Sequence, residues 1–200
     1  MKVLKLLALG LLPVSPLFGA VVFTNADFSA EPPGSNWLIY VETGSPGGVQ
    51  PVENYVTFDG PVATYTNPTG IGNFYQEFNA VLQPGVTYTF SAHIANANFP
   101  GTSPQSAGWL SVKEFTPGFG TRTQWDFVQI FESTNGIVSV TFTPQGDGNR
   151  IHQLGLVFNG RNQYNPSVEF SNPTVIPEPG TYALLFGIVG LAFVLYRRRR

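Results

Sequence analysis

Along Thr87–Ile94 apolar and polar side chains alternate one by one. Tyr88, Phe90, Ala92 and Ile94 fall on one face, and Thr87, Thr89, Ser91 and His93 fall on the other. A period of two is the pleat of a β-strand, so the first set faces a core. Ile137–Thr143 repeats the pattern with Val138, Val140 and Phe142 inward. Shorter runs predict further strands at Trp37–Val41, Tyr55–Phe58, Ala63–Thr66, Asn73–Phe78, Trp109–Phe115, Trp125–Phe131, His152–Phe158 and Val168–Phe170. Turn signals separate them: Pro46-Gly47-Gly48, Asp59-Gly60-Pro61, Pro84-Gly85, Asn135-Gly136 and Gly146-Asp147-Gly148. No stretch before Pro177 sustains a helical period, and no repeat recurs at a fixed spacing. The expectation is one antiparallel two-sheet β-sandwich over residues 21–176, all-β, with no helix longer than about two turns.

Both ends break this pattern. Met1–Ala20 has Lys2 and Lys5, then the apolar run Leu6–Leu12, then Pro13 and Pro16, which is the order of a secretory signal peptide over residues 1–20. At the other end Pro177-Glu178-Pro179 precedes Ala183–Leu195, which lacks any polar residue, then Tyr196 and Arg197, Arg198, Arg199 and Arg200. As a helix, Ala183–Leu195 rises only about 20 Å against a hydrocarbon core of about 30 Å. Tyr182 and Tyr196 at the interfaces and snorkelling arginine stems extend it, so residues 181–196 read as a transmembrane helix stopped by the arginine cluster. Positive charge at both ends favours the cytoplasmic side and places everything between across the membrane.

Charge then narrows the function. Six of the ten basic residues sit in the two ends, and residues 21–176 hold four basic against eleven acidic side chains, a net of −7. Such a body has no means of binding phosphate backbones, which excludes a nucleic-acid partner. The chain has no cysteine, so after export its stability rests on core burial without disulfides.

The ordered tail of Pro177-Glu178-Pro179, apolar helix and Arg197–Arg200 resembles the PEP-CTERM sorting signal of Gram-negative bacteria that make exopolysaccharide. That resemblance implies an exosortase partner, removal of the tail over residues 177–200 near the Pro-Glu-Pro, and delivery to the cell surface or extracellular matrix. Signal peptidase would act at the other end. A second resemblance rests on Asn25-Ala26-Asp27-Phe28 with Asn36-Trp37, on Tyr75-Gln76-Glu77-Phe78, and on Leu82–Ser91. These are similar to motifs of carbohydrate-binding-module-like and galactose-binding-like jelly rolls. The closing strand of that family carries an Asp-Asn pair. Here Val168–Pro173 keeps Asn172 and lacks the aspartate, so the resemblance assigns no structural calcium and no cofactor.

Catalysis has little to draw on. His93 and His152 are the only histidines and lack a metal-binding spacing, and neither Gly70-Ile71-Gly72 nor Gly118-Phe119-Gly120 sits in a phosphate-loop context. Two carboxylates suffice for a glycoside hydrolase, and nothing singles out a pair among the eleven. The reading is therefore a non-enzyme, with a glycan-active hydrolase as a minor alternative. Binding has better material, because sugars offer C–H faces to flat rings and hydroxyls to amides and carboxylates. Trp37 shares its strand face with Ile39 and Val41 and reads as core. Trp109 shares a face with Ser111 and Lys113, and Trp125 one with Phe127, Gln129 and Phe131 that suits either core or cleft. Trp109, Trp125, Gln129 and His93 are the candidate carbohydrate contacts. The expected function is an exported surface or matrix protein associating with exopolysaccharide, the alternative being a purely structural matrix protein.

Overall fold

The computed structural model describes residues 21–43, 47–66, 71–79, 81–98, 108–159 and 167–178, together with 187, 190, 196 and 197. The expected signal peptide, Pro179, Arg198–Arg200 and nearly all of the expected transmembrane helix lie outside the described residues. Among the described residues eleven strands form: β1 (Leu38–Thr43), β2 (Gly48–Gln50), β3 (Val56–Asp59), β4 (Val62–Thr66), β5 (Ile71–Asn79), β6 (Tyr88–Asn98), β7 (Gly108–Phe115), β8 (Arg122–Ile130), β9 (Gly136–Phe142), β10 (Ile151–Asn159) and β11 (Ser167–Pro177). They build two sheets, a six-stranded one in the order β2-β1-β5-β10-β7-β8 and a five-stranded one in the order β3-β4-β11-β6-β9. All pairings are antiparallel.

All ten strands expected from alternation are present, and Tyr88, Phe90, Ile94, Val140 and Phe142 are buried with Val138 partly so. Two details differ from the sequence pattern. β2 is three residues long, too short to alternate visibly. β11 does not stop at Phe170 but continues to Pro177. A bulge between Ser171 and Thr174 holds Asn172 at φ 51° and absorbs Pro173, whose missing N–H would otherwise interrupt the ladder.

The core between the sheets is aromatic at its centre. Trp37 stacks on Phe74 at 4.7 Å and on Phe23 at 5.6 Å, and meets Phe170 edge-on at 5.5 Å. Each such pair contributes about 0.5–1.5 kcal/mol beyond area burial. The Trp37 indole N–H donates to the Asn25 carbonyl at 3.1 Å, so burying the ring strands no donor. Residues 21–36 pack against both sheets, Phe23 against Phe78 and Phe90 and Phe28 against Phe74 and Phe58. The Thr24 amide donates to Gln76 Oε1 at 3.0 Å, and Gln76 Nε2 donates back to the Thr24 carbonyl. Phe28 adopts a left-handed φ of 56° at a cost of about 1–2 kcal/mol, which burying its ring to 2% exposure offsets.

Candidate functional site

Side chains on the outer face of the six-stranded sheet align in straight rungs because the register is continuous across strands. One rung runs Tyr40, Asn73, Val157, Trp109, Gln129, and another runs Glu77, Gln153, Lys113, Trp125. Above the second rung lies a cleft of about 470 Å³ lined by Tyr40, Glu42, Val49, Tyr75, Glu77, Lys113, Phe115, Phe119, Arg122 and Gln153. Its floor is crowded enough that Asn73, Ser111 and Lys113 are each only 3% exposed although they point away from the core. Gly155 lies one rung beyond Gln153, opposite Tyr75 and Ser111, where a Cβ would stand 2.0 Å from the Phe74 carbonyl oxygen.

A polar network fixes the floor. Lys113 Nζ donates to Glu42 Oε1 at 2.5 Å and to Asn73 Oδ1 at 2.7 Å, and Asn73 Nδ2 donates to the Tyr40 carbonyl and to Glu42 Oε1, each at 3.1 Å. Burial pushes the Lys113 ammonium below its ordinary range, with Glu42 opposing. For Glu42 burial works upward, and Lys113 outweighs it to hold the carboxyl low. Glu77 moves the other way: burial raises its carboxyl above the usual range despite hydrogen bonds from Gln153 and Tyr75. Two carboxylates of unlike proton affinity, an amide and a phenol therefore face one cleft.

Phe115 of β7 and Phe119 of the loop before β8 line the cleft, and the outward rings of β8 stand beside it, past Lys113 and Arg122. Trp125 and Phe127 are exposed on successive outward positions of β8 and Phe131 is exposed just past its end, and Trp125 lies 4.9 Å from Phe127 and meets Trp109 edge-on at 6.4 Å. The Arg122 guanidinium sits 4.8 Å over the Trp125 ring. Phe119, at φ 55° in the loop joining β7 to β8, leans edge-on against Phe115 at 5.8 Å. Flat rings beside amides and carboxylates can hold a sugar by stacking on its C–H face while hydrogen-bonding its hydroxyls.

The structure thus gathers Trp109, Trp125 and Gln129 on two adjacent strands, with Trp109 directly opposite Gln129. It does not gather His93 with them. That side chain stands on β6 of the five-stranded sheet, opposite Ile137 and Ser171, on the other side of the sandwich. Trp37 is core at 2% exposure. His152 is inward and buried, 3.2 Å from Glu114 Oε2. The sequence pattern did not single out Tyr40, Glu42, Glu77, Lys113, Arg122 or Gln153. The available signal was that all but Arg122 occupy outward positions by strand phase; Arg122 reaches the outer face through the register shift that sets it opposite Phe115.

Pro177 and Glu178 close β11. Pro177 pairs with Tyr88, the Glu178 amide donates to the Thr87 carbonyl at 2.9 Å, and Thr89 Oγ1 donates to Glu178 Oε1.

Solved structures similar to this chain include carbohydrate-binding modules, a phage tailspike domain and an α-L-arabinofuranosidase. The enzymatically active domain of tailspike protein 4 from bacteriophage CBA120 aligns with a TM-score of 0.52 at 14% identity, over 78% of this chain and 21% of that one. A CBM4 domain aligns at 0.49 and 20% identity over 78% of this chain and 100% of that one. TmCBM61 in complex with β-1,4-galactotriose aligns at 0.41 and 12% identity over 78% and 97%. At these identities the likeness is one of fold. Residues 175–200 match the PEP-CTERM protein-sorting motif, the mark of an exported, exosortase-processed surface protein. No curated protein matches this chain in sequence.

Proposed function

We propose that this is a surface or matrix protein whose six-stranded face binds a polysaccharide chain, without acting on it, in the cleft between Tyr40 and Trp125. The observation that carries the reading is the cleft itself, where exposed rings border a floor of amide, phenol and carboxylate groups. A linear glycan laid across the strands would stack on the β8 rings and donate hydroxyls to Glu42, Glu77 and Gln153. The exopolysaccharide of a Gram-negative host is the ligand such a protein meets after export. Residues 1–20 act as the signal peptide removed by signal peptidase, residues 21–176 as the ectodomain, and residues 181–196 as a membrane anchor held by Arg197–Arg200 until exosortase processing.

Calorimetric titration of the purified protein with the host's exopolysaccharide tests the binding reading. Saturable binding is expected, with Trp125→Ala and Gln153→Ala each weakening it about tenfold and His93→Ala, on the far sheet, leaving it unchanged. Absence of binding, or equal loss in all three variants, would replace this reading with a purely structural matrix protein.

A further inference from the structure

We propose that the sandwich clasps its own sorting motif, so that the end of β11 must peel away from β6 before the tail is processed. The inference rests on the tail being processed at all, and three contacts carry it. Pro177 is the last residue of β11, paired with Tyr88. The Glu178 amide makes one further ladder-like bond to the Thr87 carbonyl at 2.9 Å. The Glu178 side chain is held as well, accepting from Thr89 Oγ1. The partner strand is anchored in turn: Tyr88 is 1% exposed, stacks on Phe142 at 5.7 Å, and its hydroxyl accepts from the Gln83 amide at 3.1 Å.

The physical conflict is one of occupancy. A processing enzyme that breaks a backbone amide at the motif, passing the new carboxyl group to water or to an amine, takes its substrate as an extended segment with its own main-chain bonds. At Pro177–Glu178 the backbone edge facing β6 is already spent on the sheet. Its other edge is different, since β4 pairs with β11 only from Ser167 to Ser171. Among the described residues one strand alone therefore holds the motif, through its last rungs, and strand ends open locally at far lower cost than the whole fold. The rate of processing then follows the population of the opened end. An enzyme that read the motif in place, adding to the free edge of β11, would need no such opening, and the test separates the two.

The chain has no cysteine, so a lock can be installed cleanly in the full-length precursor. Ile176 stands directly opposite Thr89. In the double variant Thr89→Cys with Ile176→Cys, a disulfide would pin the strand end to β6, and reduction would free it. In membranes carrying the processing enzyme, mass spectrometry should show the oxidised precursor intact and the reduced one trimmed, an internal control for any effect of the substitutions on recognition. In the single variant Thr89→Val, which removes the donor to Glu178 and the 3.3 Å contact with the Thr141 hydroxyl, processing should run about three- to tenfold faster, and Thr141→Val, which removes the second contact alone, should leave it unchanged. Equal trimming of oxidised and reduced forms overturns the clasp and favours recognition in place. Wild-type precursor that keeps Arg200 under all conditions overturns the processing reading together with the clasp.

Discussion

Lys113 Nζ lies 2.5 Å from Glu42 Oε1, yet the two side chains differ in access to water, 4% exposed for the lysine and 33% for the glutamate. The asymmetry decides which partner the fold can spare. Glu42→Ala leaves a buried ammonium with Asn73 as its remaining acceptor, whereas Lys113→Met leaves a carboxylate that water can reach. Glu42→Ala should therefore destabilise by about 1–3 kcal/mol and Lys113→Met by less. Urea unfolding of both variants checks the order, and the reverse order would contradict it.

A second pair sits inside the sandwich. Burial holds the His152 imidazole below its ordinary value of 6.5 against the opposing pull of Glu114. For Glu114 burial works upward, but the Gln145 amide, the Thr123 hydroxyl and His152 outweigh it and hold the carboxyl below 4.5. Both groups take up protons less readily folded than unfolded, so stability is full above those values and declines as pH falls, first below about 6.5 and again below about 4.5. Urea midpoints between pH 8 and pH 4 should show this slope, and His152→Gln should flatten its upper part. Identical slopes in the two proteins would remove His152 as the cause.

The tryptophans should separate by role. Trp37→Ala opens a hole at the aromatic centre and should cost about 3–5 kcal/mol. Trp125, 37% exposed, should cost under about 1 kcal/mol when changed to alanine while removing glycan affinity. Thermal unfolding paired with calorimetry distinguishes them.

Gly155→Ala should act on fold and cleft together. Its new methyl would collide with the Phe74 carbonyl and the Tyr75 backbone, forcing β5 and β10 apart at about 1–3 kcal/mol. A fall in melting temperature of about 3–10 °C is expected, along with weaker glycan binding, because Tyr75 stands in the displaced rung and Gln153 in the next. An unchanged melting temperature would show that the sheet absorbs the methyl.

Period-two alternation revealed ten strands and their inward sets because each depends only on neighbours in sequence. Strand phase likewise separated Trp37 from Trp109 and Trp125. What alternation cannot carry is sheet order. His93 and Trp109 both point outward, and nothing within their strands says that they point outward from different sheets. Glu77, Gln153 and Lys113 form one rung although they come from β5, β10 and β7, so the cleft exists only once non-consecutive strands have paired. Asn172-Pro173 hid the second half of β11 for a related reason, since a bulge that spares the ladder looks locally like its end.

The strand order also fixes a timetable for assembly. β10 joins β5 to β7, and β11 joins β4 to β6, so each sheet is two separate pieces until one of the last two strands arrives. A chain emerging amino end first can form hairpins such as β3–β4 and β7–β8 early, but it cannot close either layer until almost everything up to Pro177 is out. Closure waits on contacts between residues far apart in sequence, which makes it slow and late. A protein threaded through a membrane pore benefits from that delay: what passes the pore is still an open chain, and the sandwich closes on the far side, with Pro177, the first residue of the sorting motif, ending the strand that completes it.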